Sequence, residues 1–191
     1  MADAIEGINI ADLHNNIVKN LAEQFKDDFK LIEFYRSENE RKPLIKNELP
    51  ALLLELPDFD LDLENDAGTE QLPLIARFEA RIVADAMEKE QENPNFVKVK
   101  VRGLATKLAQ YLFKHKRFHK LKTGALTLSG ITEDAFYPDL DRYEVWRVDF
   151  EIPVHVGESI WSSDGNTPVA LYSWSPEIGN AHSSAYQEIL P

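Results

Sequence analysis

Asp58, Asp60 and Asp62 stand at alternate positions, three carboxylates spaced as if to hold a metal ion. They match the first, third and fifth ligand positions of a calcium-binding EF-hand loop. That loop also needs Gly at its sixth position for the turn and Glu at its twelfth for bidentate coordination. Here those positions hold Leu63 and Thr69, so the spacing predicts a solvated strand face or loop and not a calcium site. His115 and His119 are four apart and would share one face of a helix, as zinc-binding pairs do. The protease motif puts Glu directly after the first His, whereas Lys116 stands there. Five cations, Lys114, Lys116, Arg117, Lys120 and Lys122, surround the pair and repel a dication.

Nucleophilic chemistry finds as little support. With no cysteine in the chain, thiol nucleophiles, disulfides and cysteine-held metals are excluded. No G-x-S-x-G elbow occurs, since Leu128-Ser129-Gly130 lacks the first glycine. Ser159, Ser162, Ser163, Ser183 and Ser184 read as loop formers. His155 can be drawn with Asp149 and Glu151 as an acid–base set, which is the one hydrolase alternative. Charges alternating along a strand are more simply its wet side. Phosphate-cradling and dinucleotide glycine patterns are absent. The expectation is a protein without catalytic residues, metal or cofactor.

Charge says more. Of 191 residues, 33 are Asp or Glu and 21 are Lys or Arg, a formal net charge of −12. A protein that reads DNA sequence needs cationic surface to displace counterions, so that class is disfavoured. The run from Lys114 to Lys122 is the exception: a basic patch on an acidic molecule. Part of it suits a helix C-terminus, where cations complement the dipole. The rest favours head-to-tail contact between copies, with Lys114, Lys116, Arg117 and Lys120 meeting the ladder Asp58, Asp60, Asp62 and Glu64. No apolar run approaches the roughly 18 residues that span a bilayer. The acidic N-terminus, with Asp3 and Glu6, lacks the basic region of a secretory signal, so a soluble intracellular protein is expected.

The elements that must carry these residues follow from periodicity. Ile10, Leu13, Ile17, Leu21 and Phe25 recur at helical steps and predict a helix over about 10–29, capped by Asn9. Leu31 to Tyr35 reads as a short strand. Ala51 to Leu56, bounded by Pro50 and Pro57, reads as a buried strand after a polar connection from Pro43. Asp58 to Glu64, if extended, puts four carboxylates on one face and Phe59, Leu61 and Leu63 on the other. Leu74 to Val83 alternates with Phe78, Ala80 and Ile82 inward and Arg77, Glu79 and Arg81 outward. Asn93-Pro94 opens a second helix with the stripe Val97, Val101, Leu104, Leu108 and Tyr111 or Leu112. A hairpin from Gly124 to Ile131 breaks at Tyr137-Pro138-Asp139. It leads to a long strand with Trp146, Val148, Phe150, Ile152, Val154 and Val156 on one side. Arg147, Asp149, Glu151 and His155 share the other side with Pro153, which argues for an edge or a bulge. The prediction is an α+β domain over 1–156, a mostly antiparallel sheet flanked by two amphipathic helices. An irregular segment over 157–191 is expected to pack on the core or on a neighbouring subunit.

Four stretches also carry a family resemblance: Pro50 to Leu56, Phe78 to Asp85, the helix beginning at Val97 and running past Ala105, and Trp146 to Ile152 continuing through Val156 to Trp161. In their hydrophobic pattern and order the chain resembles the tail terminator proteins of tailed bacteriophages, the U-like minor tail proteins found also in Mu-like prophages. The resemblance implies an α+β fold that assembles as a hexameric ring on the head-proximal end of the tail tube. Such a ring stops tube elongation and offers a surface to head-completion or connector proteins. It would sit in the neck of the virion tail, after assembly in the host cytoplasm. An acidic lumen would let DNA pass without sticking, and Asp58, Asp60, Asp62 and Glu64 are the candidates to line it. The alternatives are another neck or tail-completion protein, and an acidic inhibitor or immunity-type protein that masks a basic target.

Overall fold

A computed structural model describes residues 3–34, 44–88, 95–134, 143–163, 171–174 and 178–188. Pro43, Tyr35, the Asn93-Pro94 helix opening and the Tyr137-Pro138-Asp139 break lie outside them. In chain order the strands are β1 (Asp3–Glu6), β2 (Leu31–Phe34), β3 (Ala51–Leu61), β4 (Leu72–Asp85), β5 (Thr127–Glu133), β6 (Tyr143–Val156), β7 (Glu158–Ser163), β8 (Leu171–Tyr172) and β9 (Gln187–Glu188). Two compact units divide the chain, Glu6–Ile160 and the smaller Met1–Ile5 with Trp161–Pro191. β1 pairs with β7, and β8 pairs with β9. In the smaller unit a 3-10 segment over Asn180–Ala185 lies beside Gly179, whose amide donates to the Tyr186 hydroxyl at 2.9 Å.

In the larger unit, Asn9 is extended and its side-chain oxygen accepts the Ala11 amide hydrogen at 2.8 Å, which starts α1 (Ile10–Phe25). Leu13, Ile17, Leu21 and Phe25 form its buried face, as their spacing predicts. The helix stops four residues before the expected end. Phe29 follows in a turn, its amide donating to the Phe25 carbonyl at 3.1 Å and its ring edge-on to Phe25. The second helix, α2 (Phe96–Lys114), begins after Asn95 and buries Val97, Val101, Leu108 and Leu112, with Ala105 and Ala109 completing the face. Leu104 and Tyr111 are only partly buried. Among the described residues no helix is long and apolar enough to cross a membrane.

The sheet has the order β2-β3-β4-β6-β5. All neighbours are antiparallel except β2 and β3, so the sheet is mixed, and the expected α+β class is what the chain adopts. Even-numbered residues of β4 and β6, from Ala76 to Ala84 and from Val148 to Val154, share one core with the buried faces of both helices. Both helices therefore cover the same side of the sheet. The opposite side has an apolar cluster at one end, where Ala51, Leu53, Val83 and Val145 lie under Leu44 and Leu49, and the Tyr143 hydroxyl donates to the Leu44 carbonyl.

Two prolines correct the predicted strand edges. β3 does not stop at Pro57. Its register with β4 shifts by one residue between Glu55 and Asp58, a bulge that absorbs Pro57 inside the strand. Because of that extra residue, Asp58 and Asp60 return to the same face as Glu55. Pro153, expected on an edge or at a bulge, lies in β6, which runs between β4 and β5 in the sheet order. Its carbonyl accepts the Gly124 amide hydrogen on the β5 side, and β5 pairs only as far as Thr127 with Glu151. The missing donor of Pro153 thus breaks no ladder. Gly124 is required there, since a Cβ would come within 2.7 Å of the Pro153 side chain.

The core centre is the register pair Phe78 and Phe150, stacked at 5.1 Å between ring centroids and both buried. Phe78→Ala is expected to cost about 3–5 kcal/mol in denaturant unfolding; a loss below about 1 kcal/mol would show that these rings do not anchor the sheet. His14 of α1 stacks on Phe34 of β2 at 4.0 Å, and burial pushes its pKa below the ordinary 6.5. The neutral ring is thus the native form, and the unfolded chain binds the extra proton. Stability is expected to fall as pH drops below 6.5 and to level off once the lowered native value is passed. In His14→Phe this slope should flatten in thermal melts between pH 7.5 and 5; an unaltered slope refutes the assignment.

Candidate functional site

The side of the sheet away from the helices carries charge in rows, and register dictates which charges meet. One row runs Leu53, Arg81, Arg147 and Thr132 across β3, β4, β6 and β5. The next runs Glu55, Glu79 and Asp149, and the third Asp58, Arg77, Glu151 and Thr127. Like charges therefore sit directly opposite within the first two rows, which alone would destabilise the sheet. The compensation is between rows. Arg81 ion-pairs with Glu55 and Glu79 and, through Nε, with Asp134 at 2.8 Å. Arg147 reaches Glu79 at 3.3 Å, and its Nε lies 2.8 Å from Asp149 Oδ1, an ion pair off the line of a hydrogen bond. Arg77 contacts Asp60, Asp58 at 4.0 Å and Glu151 at 3.6 Å.

These pairs differ in environment. The Arg81 side chain is 8% exposed and that of Asp134 3%, whereas that of Arg77 is 47% exposed. Arg81, expected to face outward, does so but is not wet, because carboxylates from β3, β4 and the end of β5 close over its guanidinium. A depression of about 210 Å³ lies on this face, with Pro57, Arg77, Ser129, Arg147 and Asp149 among its lining. A ligand entering it meets charged groups that already hold one another. Carboxylates outnumber guanidiniums across the rows, so the face is net acidic.

The predicted carboxylate ladder is only half realised. Asp58 and Asp60 share the outer face and are taken up by Arg77. The strand then ends at Leu61, whose partner Leu74 is the last of the β3–β4 pairs. Asp62 turns into a 3-10 segment over Leu63–Asn65, where its carboxylate accepts both hydrogen bonds of the Asn65 amide group at 2.8 and 3.0 Å. Glu64 is exposed beyond it. Four carboxylates on one strand face is therefore corrected to two. Among the described residues no three His, Asp or Glu side chains converge as metal ligands.

His155 is not brought to Asp149 or Glu151, which engage Arg147 and Arg77; its Nε2 instead lies 3.3 Å from the Asn65 carbonyl. His115 and His119 do not share a helix face either, because α2 ends at Lys114. His115 stacks on Tyr111, and the His119 amide donates to Asn20 at 3.2 Å. Phe118 between them is buried and pins the loop. Lys114, Lys116, Arg117 and Lys120 are all exposed on that loop or the last helical turn, and none forms an ion pair among the described residues. Lys116 lies over the Phe113 ring at 4.4 Å.

The chain matches no protein-family model and no curated protein.

Burial separates the arginines energetically. Arg81→Ala removes the buried guanidinium that Glu55, Glu79 and Asp134 share and is expected to destabilise the fold by about 3–5 kcal/mol. Arg77→Ala, on the exposed row, should cost under about 1 kcal/mol. Urea midpoints at constant slope measure both, and equal losses would mean that burial does not set the strength of this network.

Proposed function

We propose that the chain is a docking protein of virion assembly, a tail terminator that caps the head-proximal end of a phage tail tube as a ring. The observation that carries the reading is the separation of charge. The arginines of the outer sheet face are consumed by neighbouring carboxylates, while Lys114, Lys116, Arg117 and Lys120 protrude without an ion-pair partner among the described residues. A molecule of net charge −12 that keeps such a patch unpaired on one loop is suited to bind an acidic surface, including that of its own copies. The α+β sheet with helices is the architecture that the terminator resemblance implies. The acid surplus on the outer face is suited to a lumen that polyanionic DNA must traverse.

In this reading the subunits of 21.8 kDa associate to roughly 130 kDa, six copies, either alone or on a tube end. Head-completion proteins then dock on the capped end. Sedimentation of the purified protein with and without polymerised tail tubes tests this, together with electron microscopy of labelled protein on the tubes. Binding at one tip, with elongation halted, is the expected result. A protein that neither multimerises nor touches tube ends refutes it.

A further inference from the structure

We propose that a second copy of this chain seats the end of its α2 on the tip of the β3–β4 hairpin, a head-to-tail contact between two different surfaces. It deepens the ring reading by naming those surfaces, and it rests on that reading only for the number of copies.

The hairpin tip has an apolar centre that nothing among the described residues covers. Leu61 is 62% exposed, Leu63 68% and Leu72 48%. The bulge at Pro57 gives Phe59 and Leu61 the parity of the helix-facing side, yet Leu61 lies past the buried core. Around them stand Asp58, Asp60, Asp62 and Glu64, of which Asp58 and Asp60 have a cation in Arg77. An apolar centre with an acidic rim selects a partner with an apolar centre and a basic rim.

The end of α2 has that form. Phe113 is 63% exposed, with the Lys116 ammonium over its ring and Lys114, Arg117 and Lys120 nearby. The two patches belong to opposite borders of the sheet. The Lys116 carbonyl accepts the Leu126 amide hydrogen at 2.7 Å just before β5, and β5 is the border strand on that side. Among the described residues β2 pairs with β3 only as far as Leu54, so there the outer half of β3 forms the other border. Three strand spacings, roughly 14 Å, separate β3 from β5. Each copy therefore offers one patch of each kind, the arrangement that propagates and closes into a ring when the rotation allows.

The absence of cysteine makes the test direct. Leu63→Cys and Phe113→Cys each place a single thiol on one patch. Treated with a short bismaleimide linker, the double variant is expected to give a ladder of dimers, trimers and larger species. A mixture of the two single variants should stop at dimers, and each single variant alone should stay uncoupled. Independently, Lys116→Glu with Arg117→Glu should weaken self-association about tenfold or more, and Asp60→Lys with Asp62→Lys in the partner copy should restore it. A single variant that couples to itself, a double variant without a ladder, or charge variants that associate like the parent would each overturn the contact. Tube ends still capped by a protein that gives no ladder would refute these surfaces and leave the terminator reading standing. A ladder from protein that ignores tube ends would do the reverse.

Discussion

β4 and β6 pair without interruption over 14 residues each, from Leu72 opposite Val156 to Asp85 opposite Tyr143. Every other feature of the larger unit hangs on that one register. Side chains in a strand alternate between faces, so a slip of β4 by one residue would move Phe78 out of the core and drive Arg77 and Arg81 under the helices, and a slip of β6 would do the same to Phe150 and Arg147. Burying a guanidinium away from its carboxylates is prohibitive. The two faces thus enforce the same alignment for opposite reasons: one because its apolar rings must be covered, the other because its charges must meet. A sheet specified from both sides in this way tolerates the single parallel pairing at its β2 border and the bulge within β3.

Much of this was legible in the chain itself, and the limit falls where long-range register begins. The buried face of α1 could be read from Leu13, Ile17, Leu21 and Phe25, because helical period is a local property. The inward and outward residues of β4 and β6 were likewise plain from alternation. Hidden from view was which outward charge meets which. Arg81 and Asp134 are 53 positions apart and become partners only once β4, β6 and β5 are laid side by side. The uninterrupted alternation from Asp58 to Glu64 also misled, since alternation specifies a strand only while a neighbour accompanies it. β4 accompanies β3 no further than Leu61, after which the Asp62 and Asn65 side chains close a turn.

The same geometry distributes the molecule's means of recognition. Ionisable groups on the outer face are occupied with each other, so that face contributes an acidic field more than a set of reactive groups. In the proposed contact, recognition falls to the places where pairing stops, the hairpin tip beyond Leu61 and the loop beyond Lys114. Both lie just past the end of a regular element, where side chains are presented by a rigid scaffold without being consumed by it.

One further consequence comes from the bulged borders. Past Leu54 the outer side of β3 has no strand partner among the described residues, and Pro57 in that stretch offers no amide hydrogen. The opposite border, β5, is skewed between Leu128 and Gly130. These two bulges interrupt the described stretches of β3 and β5 as straight templates on which a foreign ribbon could add. Bulged stretches of this kind are poor seeds for cross-β pairing when copies are crowded together.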